Sequence, residues 1–247
     1  MTDRRKLLAT FAALAALASL PAGAFFGADT IAASGKVVQE SRNVTGFTGV
    51  DLAVPGTLVI RQGGAESVSI EADDNLLPEI ETVVERGKLR IRYARKINAT
   101  GRPTIRILVT GPAFDALSVS GSGDIVSESV KSGSLALAVA GTGDIRIARV
   151  EAGKLSISVA GSGDVKVAGR ADEMTTKIAG SGDIEAGRLE TRRSKLSIAG
   201  SGDATLWARE TLEVSIAGSG SVRYHGDPEI TRRVAGSGSI KRLGPAP

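Results

Sequence analysis

The chain has 247 residues, of which 31 are Gly, one is His, none is Cys and 3% are aromatic. The lack of Cys excludes disulfides, thiolate catalysis, Cys-ligated zinc and iron–sulfur clusters, and a single His excludes a multi-His metal site and leaves one place for a Ser-His-Asp triad. The formal net charge is +4, of which Met1–Ala24 carries half, and the remaining basic residues are interspersed with acids, which is not the clustered basic and aromatic surface of a nucleic-acid binder.

The chain opens as a secretory signal. Arg4-Arg5-Lys6 is a basic start, Leu7–Leu20 is uncharged and apolar, and Ala22-Gly23-Ala24 fits the small-x-small cleavage rule. The apolar run makes about 21 Å of helix, too short for a hydrocarbon core of about 30 Å. The paired arginines also resemble a twin-arginine export signal. Residues 1–24 are therefore expected to be removed after Ala24, leaving an exported protein, periplasmic or on the cell surface, with no integral membrane segment. Residues 25–43 read as an N-terminal extension that includes Val37–Arg42.

Residues 44–112 read as a β region that supplies irregular first coils or a cap. Thr57–Arg61, Ser67–Ala72, Lys88–Tyr93 and Thr104–Thr110 have strand patterns, and Asn75–Ile80 reads as a turn or one helical turn.

Residues 113–243 repeat. Gly-Ser-Gly-Asp or Gly-Thr-Gly-Asp occurs at Gly121–Asp124, Gly141–Asp144, Gly161–Asp164, Gly180–Asp183 and Gly200–Asp203, and Gly-Ser-Gly-Ser follows at Gly218–Ser221 and Gly236–Ser239. The steps are 20, 20, 19, 20, 18 and 18 residues. Alternating apolar residues precede each tetrapeptide (Leu135, Leu137, Val139; Leu155, Ile157, Val159), and Ile125, Ile145, Val165, Ile184, Ala204, Val222 and Ile240 follow the seven in turn. Alternation means strands with one buried face. Each unit thus reads as strand, glycine corner, short strand and a polar second turn such as Glu151-Ala152-Gly153-Lys154. A unit of this size buries its apolar face only by stacking on its neighbours. The predicted fold is all-β: a parallel β-solenoid of 18–20-residue coils behind a β cap, ending in a short tail at 244–247. The corner glycines Gly121, Gly123, Gly141, Gly143, Gly161, Gly163, Gly180, Gly182, Gly200, Gly202, Gly218, Gly220, Gly236 and Gly238 are expected to serve the turns, with positive φ. The Ser/Thr column between them is expected to find backbone partners.

The order of these motifs resembles the head GIN domain family of autotransporter adhesins, a bacterial domain of unknown function. The similarity runs from about Val44 to Ile240. It rests on Asp73-Asp74-Asn75-Leu76-Leu77, on Gly87-Lys88-Leu89-Arg90-Ile91, on Leu117–Asp124 with its later copies, and on Tyr224-His225-Gly226-Asp227-Pro228. The resemblance implies an exported β-helical protein and supplies no catalytic residues. Ser221 and Ser239, in place of Asp, depart from the regular row.

That row, Asp124, Asp144, Asp164, Asp183 and Asp203, is the candidate binding feature. Stacked at about 4.8 Å, neighbouring carboxylates would repel by about 0.9 kcal/mol in water. Two arrangements offset this: backbone N–H bonds within each glycine turn, or divalent cations such as Ca²⁺. The first is the expected one, and neither a metal nor a cofactor is assigned. The nine-residue Ca²⁺ β-roll motif does not fit an 18–20-residue step. His225 could act as a general base or simply stand in a turn, and Trp207 and Tyr224 could stack on sugars or pack. The basic cluster Arg232, Arg233, Lys241 and Arg242 reads as solvated surface. The preferred function is a non-enzymatic, adhesin-like binding module for an envelope polysaccharide or surface protein. A passive envelope component and a polysaccharide-active β-helix enzyme are the alternatives. Identical residues in every coil favour structure over catalysis, because a catalytic cluster is unique.

Overall fold

The computed structural model describes residues 28–245; the expected signal segment and cleavage site lie outside them. The N-terminal half contains β1 (Asp29–Ala32), β2 (Val37–Arg42), β3 (Gly49–Leu52), β4 (Thr57–Gln62), β5 (Ser67–Asp73), a 3-10 turn (Leu77–Glu79), β6 (Ile80–Glu85), β7 (Lys88–Tyr93), β8 (Ile97–Thr100) and β9 (Ile105–Gly111). The repeat region contains β10 (Ala116–Gly121), β11 (Asp124–Ser127), β12 (Val130–Gly141), β13 (Ile145–Gly161), β14 (Val165–Gly180), β15 (Ile184–Gly200), β16 (Ala204–Gly218), β17 (Ser221–His225), β18 (Glu229–Gly236) and β19 (Ser239–Gly244).

The repeats stack as a parallel β-solenoid. The residues before each glycine corner form one ladder, and Leu89, Val50, Leu117, Leu137, Ile157, Thr176, Leu196, Val214 and Arg232 lie in register along it. The residues after each corner form a second ladder, with Ile107, Leu58, Ile125, Ile145, Val165, Ile184, Ala204, Val222 and Ile240 in register. Leu117, Leu137, Ile157, Ile125 and Ile145 are buried, so the alternation in sequence becomes one continuous apolar column.

The polar second turns turn out to be a third face. Val130–Ser132 pairs with Val150–Ala152, which pairs with Gly169–Ala171. Val130, Val150 and Leu189 point into the core. One inward apolar residue per coil is too short a pattern to register as alternation, although it suffices to pair once the neighbouring coils are in place.

The N-terminal end is closed. β3 and β4 are in register with β10 and β11, and β7 and β9 stack on them in parallel as the outermost coil. Antiparallel strands then cover it: β6 on β7, β5 on β9, and β2 on β5. Asp73, buried in this cap, accepts the Gly35 N–H at 2.7 Å and the Thr104 N–H at 2.8 Å. β1 pairs separately with β8. The other end is formed by β18 on β16 and β19 on β17.

Candidate functional site

The two glycines of each corner are needed for different reasons. The first lies at φ between 120° and 138° in all seven copies. The second is outside the left-handed region, contrary to the expectation, and is fixed by contact instead. A Cβ on Gly163 would stand 2.0 Å from the Gly143 carbonyl oxygen and 2.7 Å from Val139 Cγ1. The Ser backbone bonds to the previous coil, as in Ser162 N–H to Gly141 O at 2.9 Å.

The Asp row is a hydrogen-bonded brace between coils. Asp124 Oδ1 accepts the Asp144 N–H at 3.0 Å. The pattern continues at 2.8 Å from Asp144 to Asp164, Asp164 to Asp183, Asp183 to Asp203, and Asp203 to Ser221. Each carboxylate therefore serves the next coil rather than its own turn. The corner rotates the peptide N–H away from the ordinary ladder, and the side chain of the previous Asp is the acceptor within reach. Where Ser221 replaces Asp, the next N–H, that of Ser239, turns to the Gly220 carbonyl at 3.2 Å. Arg146 sits 2.5 Å from Asp144 and 3.8 Å from Asp124, and Arg223 sits 3.6 Å from Asp203, which further offsets the row's negative charge. Among the described residues no group of three or more His, Cys, Asp or Glu side chains is arranged to hold a metal ion.

Two outer faces carry charges that alternate in sign from coil to coil. On the third face Lys131, Glu151 and Arg170 form a chain at 3.7 and 3.6 Å, and Glu190 meets Arg209 at 2.7 Å. On the first, Glu173 meets Arg193 at 2.5 Å, and Lys195 meets Glu213 at 2.9 Å. Hydrogen bonds from Arg193, Arg192 and Lys195 hold the carboxyls of Glu173, Glu210 and Glu213 below the ordinary carboxylate range.

The face after the corners breaks that rule. Its outward row runs Arg146, Lys166, Glu185, Thr205, Arg223, Lys241, with like charges adjacent at both ends. Beside this row lies a groove of about 690 Å³ crossing successive coils. Ala148, Ala168 and Gly187 line it where the ladder slips register between Ile147 and Val150, between Lys166 and Ala168, and between Ala186 and Glu190. Bulges bend a strand, and small side chains at the bend leave the surface concave. Arg146, Lys166, Arg188 and Arg223 supply donors, while Asp183, Glu185 and Asp203 supply acceptors. Sequence reasoning missed this groove. Its trace is the small-residue column Ala148, Ala168, Gly187, which keeps the repeat's steps of 20 and 19.

His225 ends β17 at the lip of the groove, next to Gly187, with Nδ1 2.9 Å from the Pro245 carbonyl oxygen. Tyr224 packs against the core, and Trp207 is half-buried in β16 with its ring against Gly226.

A family model described as "Putative auto-transporter adhesin, head GIN domain" matches residues 46–228. No curated protein matches the sequence. Among solved structures, a "putative adhesin" from Bacteroides fragilis is 28% identical, with a TM-score of 0.83 over 86% of this chain and all of that one. A "putative lipid binding protein" from Parabacteroides distasonis is 26% identical, with a TM-score of 0.74 over 87% of this chain and all of that one. A second Parabacteroides distasonis protein, a "putative adhesin" at 22% identity and a TM-score of 0.68 over 87% of this chain and all of that one, shares the fold. The family match over most of the chain and the shared architecture lead to one conclusion: this chain belongs to the head GIN domain family.

Proposed function

We propose that the protein is an exported, non-enzymatic binding module that holds an extended, hydroxyl-rich chain, such as an envelope polysaccharide, along the groove on its post-corner face. The observation that carries this reading is the combination, on that face, of a concave floor with a row of charges that departs from sign alternation. The row's cations pair with neighbouring carboxylates, Arg146 with Asp144, Lys166 with Glu185 and Arg223 with Asp203, and all of these groups remain partly exposed. Exposed pairs at the rim of a groove can exchange partners with a ligand's polar groups at little cost. The ligand would run parallel to the stack and meet equivalent positions in successive coils, which suits a polymer with its own repeat. Mixed donors and acceptors suit neutral or weakly charged hydroxyl groups. The adhesin descriptions of the family and of the structural relatives support a binding role at the cell surface. The basic start, apolar run and small-residue site of residues 1–24 support export with cleavage after Ala24.

In this reading the Asp row braces the corners and does not bind cations, because one oxygen of each carboxylate already accepts a backbone N–H. The test is retention of fractionated envelope polysaccharides and membranes by the immobilised protein, with Ca²⁺ and with chelator. Saturable retention of a polysaccharide fraction, equal in both conditions, is expected. Retention of membranes alone would contradict the ligand class, and loss in chelator would contradict the role given to the Asp row.

A further inference from the structure

The two ends of the solenoid are finished differently. The N-terminal end is covered by β2, β5 and β6, whereas β18 and β19 pair on one side only among the described residues. Their core-facing positions are uncovered. Val234 continues the row of Ile216, yet it is 44% exposed where Ile216 is 1%. Ile230 and Ile240 are half-buried, and Leu243 is exposed. Between Ile230 and Val234, in register with the buried Val214, stands Arg232, an exposed charge in the core row. Residues 229–244 carry Arg232, Arg233, Lys241 and Arg242 against the single carboxylate of Glu229. Arg233 reaches Glu213 at 3.9 Å and Arg242 reaches Asp227 at 3.0 Å, but Arg232 and Lys241 form no ion pair among the described residues.

We propose that this open end is a second binding site, independent of the groove, and that it takes an extended acidic segment of another polypeptide added as a strand to β18. Three features select that partner. An unpaired strand edge offers both N–H donors and C=O acceptors, and another strand satisfies both. A lipid phosphate could accept from the N–H groups only. The inward row apolar, basic, apolar (Ile230, Arg232, Val234) matches a strand with apolar residues on either side of a carboxylate at alternate positions. A second copy of the same end would set one basic cluster against another.

The probe is a labelled peptide, Ser-Val-Glu-Glu-Glu-Val-Ser, titrated into the full chain and followed by fluorescence anisotropy. Saturable binding is expected. Arg232→Glu should weaken it at least about tenfold, the scale of one charge-assisted contact. Replacing the central Glu of the peptide by Lys should restore binding to the Arg232→Glu variant, which separates charge matching from a folding defect. A fully N-methylated peptide should not bind. Equal binding of the N-methylated peptide, indifference to Arg232→Glu, or no binding at all would overturn the proposal. So would a self-association in sedimentation that blocks the peptide, or Arg232-dependent binding of phosphatidylglycerol vesicles in its place. Ala168→Trp, which fills the groove, should leave peptide binding unchanged, so failure of one site is readable apart from the other.

Discussion

A repeat multiplies the consequence of each residue choice. At Asp164 the side chain serves the Asp183 N–H in the next coil. Asp164→Ala removes a charge-assisted hydrogen bond and should cost about 1–3 kcal/mol. Asp164→Asn, whose amide oxygen still accepts, should cost less. The midpoints of urea denaturation of the two variants check this, and equal losses would contradict the brace. At Gly163 the constraint is steric, so Gly163→Ala should lower the melting temperature through about 1–3 kcal/mol of overpacking. An unchanged melt would remove the close contact with Gly143. Thr176 makes the opposite point. It occupies a core row between Ile157 and Leu196, is buried, and its hydroxyl has no hydrogen-bond partner. Thr176→Val keeps the shape and removes the unpaired group, so the denaturation midpoint should rise by the equivalent of about 1 kcal/mol. The Asp and Gly positions were legible in sequence because they recur at a fixed step. The inter-coil destination of each carboxylate was not, since spacing alone cannot say which coil an acceptor faces. The cost at Thr176 was equally hidden, because a threonine in an alternating strand reads as an ordinary β-former.

At the scale of the element, what was legible was the ladder with strong alternation. β12, β13, β15 and β16 each carry two or three inward aliphatic residues before the corner, which identifies them as strands from sequence alone. The third face, with one inward residue per coil such as Val150, reads as a polar turn until its neighbours are stacked on it. The outer ladders give a dependence on acid and salt. Glu173, Glu210 and Glu213 are held below the ordinary value by their Arg and Lys partners. A carboxyl whose folded value is lowered contributes stability that is present above the unfolded value, about 4.3, and lost as pH falls through the folded one. Thermal stability should therefore decline as pH drops below that range, and the decline should shrink in high salt because these pairs are exposed and screened. A melting temperature that stays flat through the acid range would show that the ladders contribute nothing to folding.

The described residues form a column with a covered end, an open end and a groove along the post-corner side. Its architecture follows from the period: a coil of this length cannot bury its own apolar face, so the core exists only in the stack. The groove was not legible, because it arises from a register slip repeated in neighbouring coils, and a slip is a relation between strands rather than a property of any one. The adhesin-like reading depends on that groove. It is tested most directly by comparing retention of envelope polysaccharide by the native protein and by Ala168→Trp, with far-ultraviolet circular dichroism to confirm that both are folded. Saturable retention by the native chain is expected, with its loss, at least about tenfold, in the variant, as a filled pocket requires. Undiminished retention by a folded Ala168→Trp protein would contradict it and move the binding surface to another face of the column.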